Sequence, residues 1–138
     1  MFYKFILILH PDLRGDISES IYNQHNLSMY TIIKRLEIAA AHSLSLSYPS
    51  KCENLHGHNW IITVYCRSKE LNADGMVVDF SYIKKTIKDR LDHQYLNDVL
   101  PFNPTAENIA RWVCEQIEHC YKVEVRESES NTAVYEKD

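Results

Sequence analysis

Cys52-Glu-Asn-Leu-His56-Gly-His58 sets a thiol four residues ahead of two imidazoles, and the imidazoles open an apolar run, Asn-Trp-Ile-Ile-Thr-Val-Tyr-Cys66. Successive side chains of a strand point to opposite faces, so His56 and His58 share one face, with Gly57 between them leaving room for close approach. That face also carries Trp60, Ile62, Val64 and Cys66, which sends both imidazoles toward an interior where they need hydrogen bonds or a metal. A third imidazole, His42, ends the run that starts at Tyr30, on the face of Ile32, Leu36, Ile38 and Ala40. Catalytic zinc commonly takes three protein ligands and keeps a fourth position open, and a thiol beside three histidines points to catalysis. The same residues also allow a closed structural zinc site with Cys52 as fourth ligand, or a three-histidine zinc hydrolase. His10, His25 and His119 read as ordinary surface or core residues.

The elements that must position these groups follow from periodicity. The chain has 138 residues, 45% hydrophobic and 25% charged, which suits one domain. A formal net charge of −4 argues against a nucleic-acid binder with a broad basic surface. Two long strands are expected at about 30–41 and 56–67, joined by a loop from Ser43 to Leu55 that holds Cys52. Asn72-Ala-Asp-Gly75 signals a turn, Met76-Val-Val a short strand, and Phe80, Ile83, Ile87 and Leu91 a helix starting near Asp79 or Ser81. After an irregular stretch, Asn103-Pro-Thr105 opens a second helix with Thr105 as N-cap and Glu107 in the first turn. Strand runs Lys122–Glu127 and Thr132–Tyr135 flank a turn from Ser128 to Asn131. This order reads as α+β, a four-stranded antiparallel sheet with two helices on one face. The other face carries Ile33, Ala39, Ile61 and Tyr65, which calls for a homo-oligomer.

Four cysteines, at 52, 66, 114 and 120, read as reduced thiols of a cytoplasmic protein. Cys114 and Cys120 lie on a helix pattern roughly 600° apart, so they serve packing rather than a metal. Within residues 1–28, Phe5–Leu9 is an apolar run far shorter than the roughly 20 residues of a membrane span, the segment from Pro11 to Ser28 is polar, and no export signal is read there. They are expected to form an appendage to a compact domain at 29–138.

Six blocks occur in order: His42 after Glu-Ile-Ala-Ala-Ala; Cys52-x-x-x-His56-Gly-His58; Gly75-Met-Val-Val-Asp79-Phe; Leu91-Asp92-His93-Gln-Tyr-Leu-Asn97; Asn103-Pro-Thr105-x-Glu107-Asn; and Val125-Arg-Glu127 with Ala133-x-Tyr135. Over about residues 30–136 the chain thereby resembles the 6-pyruvoyltetrahydropterin synthase / 6-carboxytetrahydropterin synthase family of the tunnelling fold. The cysteine-to-histidine spacing is similar to that of the bacterial 6-carboxytetrahydropterin synthases of the queuosine pathway. The resemblance implies a lyase that converts 7,8-dihydroneopterin triphosphate to 6-carboxy-5,6,7,8-tetrahydropterin, releasing acetaldehyde and triphosphate. It also implies Zn2+ on His42, His56 and His58, and Cys52 working with Asp92 and His93. Glu127, Thr105 and Glu107 would lie around the pterin, and trimeric rings stacked into a hexameric barrel would place the active site between subunits.

Without the resemblance, Asp92-His93 reads as a helix C-terminal pair and Glu107 as a first-turn acid. Glu127 shares strand parity with Val123 and Val125, so it is expected to point inward, where a carboxylate needs a partner. Two positions depart from the family. Ser43 stands where many relatives carry arginine, leaving Lys51 as a candidate triphosphate contact. Glu53 stands where members that form 6-hydroxymethyl-7,8-dihydropterin for folate carry their glutamate, so that product, or the 6-pyruvoyl product, is the alternative.

Overall fold

The computed structural model describes residues 28–138. The appendage expected at 1–28, with His10 and His25, lies outside the described residues except for Ser28. Strands β1 (Tyr30–His42) and β2 (His56–Ser68) pair antiparallel along their whole length, from Tyr30 opposite Ser68 to His42 opposite His56. Strands β3 (Cys120–Arg126) and β4 (Thr132–Glu136) complete a four-stranded antiparallel sheet in the order β1-β2-β3-β4. Alternation fixes which face is buried: Leu36, Ile38 and Ala40 from β1, Trp60, Ile62, Val64 and Cys66 from β2, and Val123 and Val125 from β3 all enter the core.

Helices α1 (Phe80–Leu91), α2 (Leu96–Val99) and α3 (Ala106–Gln116) cover that face. They contribute Ile83, Ile87 and Leu91, then Leu96, then Ile109, Ala110, Val113 and Cys114. Each fully buried aliphatic side chain contributes roughly 1.5–3 kcal/mol. Three helices thus stand where two were expected, because the single turn α2 is too short to show a helical period. Its buried Leu96 anchors it, and the Leu100 N–H donates to the Leu96 carbonyl at 2.9 Å.

Two further expectations are corrected. Met76–Val78 form no strand: Asn72 Oδ1 accepts the N–H groups of Asp74 and Met76, both at 3.0 Å, and Gly75 takes φ +77. This tight turn leads the chain through buried Val77 and Val78 to Asp79, which caps α1 by accepting the Ser81 N–H at 2.7 Å. Cys120 lies on no helix. With α3 ended, His119 takes φ +59 and Cys120 opens β3 opposite Cys66. Cys66, Cys114 and Cys120 are buried free thiols; burial pushes Cys114 up to about 12 and the hydrogen bond with Cys66 raises Cys120, which suits inert packing for these two.

On the uncovered face Ile33 and Val134 are each 56% exposed. Gly57 also faces that way, and a Cβ there would meet nothing nearer than the Ala40 carbonyl oxygen at 3.6 Å. The histidine pair therefore does not depend on close approach at Gly57. Among the described residues no helix is long and apolar enough to cross a membrane.

Candidate metal centre

The register of β1 and β2 builds the centre, since it sets His42 opposite His56 and Ala40 opposite His58 at the end of the strands. All three imidazoles lie on the face whose next layer is Trp60, whose ring centroid is 4.8 Å from that of His42 and 5.0 Å from that of His58. A slip of one residue would turn the pair on β2 to the opposite face.

Two of the rings are fixed from behind by backbone carbonyls. His42 Nδ1 donates to the Pro104 carbonyl at 2.8 Å, and His56 Nδ1 donates to the Asn54 carbonyl at 2.7 Å. A carbonyl only accepts, so each Nδ1 carries the hydrogen and each Nε2 presents a lone pair. Those two Nε2 atoms face one another at 3.0 Å, where two neutral acceptors cannot bond. His58 Nε2 is buried without a hydrogen-bond partner. One carboxylate oxygen of Glu127 stands 3.4 Å from His42 Nε2 and 3.4 Å from His58 Nε2.

The ligand atoms of His42, His56, His58 and Glu127 all lie within 4.8 Å of one another, a group able to hold a metal ion. The fit is good: imidazoles bound about 2.0–2.1 Å from a tetrahedral zinc sit roughly 3.3 Å apart, and the converging lone pairs are what a cation requires. Burial holds the His42 and His58 imidazoles below their ordinary 6.5, opposing the Pro104 carbonyl and Glu127, and so favours the neutral, metal-binding form. Cys52 is not a member of the group, so the closed site of three histidines and Cys52 is not the one assembled here.

Two hollows adjoin the centre, one at Glu127 and one at His58. A cleft of about 510 Å³ is lined by Cys52, Thr105, Glu107, Glu127 and Tyr48. A hollow of about 680 Å³ is lined by Ala41, Gly57, His58 and His93. Cys52 and Glu127 therefore share one cleft within one chain, and His93 lines the other hollow.

Asp92 is the C-cap of α1, and its carboxylate accepts the Ala39 N–H at 2.9 Å. That bond, with Lys88 alongside, holds the carboxyl below the usual carboxylate range. His93 donates its N–H to the Ala39 carbonyl at 2.7 Å, takes φ +56 and leaves its side chain 84% exposed. Both residues are tied to the backbone of β1, whereas Cys52 rides on the loop beyond the strand ends.

That loop contains a 3-10 turn, Lys51–Glu53, closed by a capping box. The Ser50 hydroxyl accepts the Cys52 N–H at 3.2 Å, and the Glu53 carboxylate accepts the Ser50 N–H at 3.1 Å. The Cys52 thiol is exposed and free. Thr105 Oγ1 caps α3 by accepting the Asn108 N–H at 3.2 Å, which leaves its own hydrogen to donate into the cleft. The orienting carbonyls of Asn54 and Pro104 were invisible in the sequence, because backbone acceptors leave no side-chain signal. The contact of Glu127 with the histidines needed the register, and only its inward parity was readable.

A four-stranded antiparallel sheet with helices on one face and a cluster of three histidines and one glutamate at its strand ends defines an α+β domain with a site able to hold a metal ion. Residues 31–138 match the 6-pyruvoyl tetrahydropterin synthase family, and the chain belongs to it. It is 38% identical over 121 residues to the 6-carboxy-5,6,7,8-tetrahydropterin synthase of Synechocystis, covering 78% of this chain and 93% of that one. It is 37% identical over 89 residues to the dihydroneopterin monophosphate aldolase of Pyrococcus furiosus, covering 62% and 73%. The structure of the Caenorhabditis elegans 6-pyruvoyl tetrahydropterin synthase superposes with a TM-score of 0.66 at 27% identity, covering 81% of this chain and 98% of that one.

Proposed function

We propose that this protein is a zinc-dependent lyase that converts 7,8-dihydroneopterin triphosphate to 6-carboxy-5,6,7,8-tetrahydropterin, with release of acetaldehyde and triphosphate. One observation carries the reading: Glu127 touches the histidine cluster and lines the same cleft as the exposed Cys52, so metal donors, an acid and a thiol meet in one place. The similarity to the Synechocystis enzyme supports the same product. Zinc on His42, His56 and His58, when bound, supplies a Lewis acid that polarises substrate oxygens. Pro104 and Asn54 hold two of the rings in the ligating tautomer. Cys52 carries protons to and from substrate carbon, and the thiolate is its accepting form. Glu127 accepts the 2-amino and N3–H donors of the pterin, a pair that one carboxylate matches. Thr105 donates its hydroxyl hydrogen to the ring, and Glu107 lies at the edge of the same cleft. Incubating the pure protein with dihydroneopterin triphosphate and identifying the pterin products tests the assignment, and a product other than the carboxypterin would overturn it.

Glu127 could instead complete the metal's shell, and one variant decides. Glu127→Gln is expected to keep about one zinc per chain and to raise KM by roughly 10–100-fold, the usual worth of a hydrogen bond to a charged group. Loss of zinc in that variant would make Glu127 a ligand.

The hydroxymethyl alternative rests on Glu53, and its carboxylate is engaged with the Ser50 N–H rather than lining the cleft. Glu53→Ala is expected to leave carboxypterin formation within about two-fold while lowering stability by about 0.5–1 kcal/mol through loss of the cap. A selective loss of hydroxymethyldihydropterin in that variant would restore the alternative.

Residues 29–138 form the synthase domain on this reading, and 1–28 an appendage to it. The working form is a homo-oligomeric barrel of trimeric rings, supported by the exposed Ile33 and Val134 on the uncovered face. The assignment to the cytoplasm follows from reading the four cysteines as reduced.

A further inference from the structure

Beyond His42 the chain leaves the sheet as an irregular segment, Ser43–Ser50, that must still deliver Cys52 to the cleft. The backbone of its first three residues is nevertheless paired. The Ser43 N–H donates to Asn97 Oδ1 at 2.9 Å, and Asn97 Nδ2 donates back to the Ser43 carbonyl at 2.8 Å. Two residues on, the Ser45 N–H donates to Asn103 Oδ1 at 3.0 Å, and Asn103 Nδ2 donates to the Ser45 carbonyl at 2.9 Å. Each side-chain amide thereby supplies the donor and acceptor that a neighbouring strand would offer to one residue of a ladder. Between the two, the Leu44 N–H donates to the carbonyl of Cys52 itself at 2.8 Å.

The asparagines are themselves held. Asn97 lies in α2 behind the fully buried Leu96. The Asn103 carbonyl accepts the Thr105 N–H at 2.8 Å and Asn108 Nδ2 at 3.0 Å, which fixes it to the start of α3. The next residue, Pro104, gives its carbonyl to His42. The segment from Asn97 to Thr105 thus touches both a metal donor and the loop of the thiol. A displacement of the loop would move Cys52 relative to the imidazoles, and about 1 Å of misplacement at a reacting group can cost on the order of 100-fold in rate.

We infer that Asn97 and Asn103 are positioning residues that clamp the Ser43–Ser45 backbone and thereby set Cys52 relative to the histidine centre. This rests on the proposed role of Cys52 in proton transfer. The chemistry demands asparagine: aspartate keeps the acceptor and loses the donor, glutamine is a methylene too long, and alanine loses both.

The test compares full-length, zinc-loaded wild type with Asn97→Ala, Asn103→Ala and the isosteric Asn103→Asp. Amide hydrogen exchange over residues 43–52, Cys52 alkylation by iodoacetamide as a function of pH, zinc content, kcat and KM are measured on each. In both alanine variants the loop amides are expected to exchange at least about 10-fold faster, and the alkylation profile of Cys52 to shift. Turnover is expected to fall about 10-fold or more in kcat with KM within about two-fold and zinc unchanged, and Asn103→Asp to recover part of that loss. Should an alanine variant fail to fold, Asn103→Asp alone still reports the loss of the donor. Loop exchange and Cys52 alkylation identical to wild type would overturn the clamp. Faster exchange with unchanged kcat would overturn its positioning role. A wild type that turns over no pterin would overturn the proposed function instead, while exchange and alkylation still judge the clamp.

Discussion

His56→Ala and His58→Ala are each expected to lower bound zinc from about one per chain to a small fraction, and to remove pterin turnover with it. Losing a partner that merely orients a ligand already costs roughly 10–100-fold in metal affinity, so losing the ligand itself should cost at least that much. Metal analysis of the purified variants is the measurement, and full zinc in both would place the site elsewhere. A pH series adds a sign. His42 and His58 are held below 6.5 in the fold, so the metal should stay bound as pH falls to about 6.5 and be released as protons compete at lower pH. In the metal-free chain the unfolded imidazoles take up protons first. Stability is therefore complete above 6.5 and is lost as pH falls toward the lower values of the folded state.

The parts of this centre that were legible in the sequence are those that local rules govern. Strand parity put His56 and His58 with Trp60 and Ile62, and put His42 with Ile38 and Ala40, because alternation along a strand is a property of the backbone alone. Helix α3 was equally readable, with Thr105 as its cap and Ile109 and Val113 on its buried side. What escaped was set by partners distant in the chain. The Pro104 carbonyl lies 62 positions from His42, and no residue type announces it. Helix α2 and the turn at Met76 are single turns, short enough that a buried Leu96 or an Asn72 side chain overrides any periodic pattern. The pairing of Asn97 with Ser43 looks like two unrelated polar residues until the fold closes.

The same limit applies to the thiol and His93, which the sequence joins by resemblance and which line separate hollows of the single chain. Cys52→Ala is expected to lower carboxypterin formation by roughly 10²–10⁴-fold, the usual worth of a positioned proton carrier, with zinc content and folding intact because the side chain is exposed. His93 needs a gentler change, since it sits at φ +56; asparagine tolerates that conformation and alanine does not. His93→Asn should therefore fold normally and lose activity if its imidazole works with the thiol. Within one chain His93 is bound to the Ala39 backbone and lines a different hollow from Cys52. On the proposed function, contact between the two is expected to come from a neighbouring copy. Co-expressing Cys52→Ala and His93→Asn chains under different tags, and isolating the mixed oligomer, is expected to restore activity at about a quarter of the sites, those that pair an intact thiol with an intact imidazole by random mixing. Mixed oligomers as inactive as their parents would rule out a site shared between copies. A Cys52→Ala enzyme that makes carboxypterin at the wild-type rate would reduce the thiol to a bystander and sink the proposed reaction.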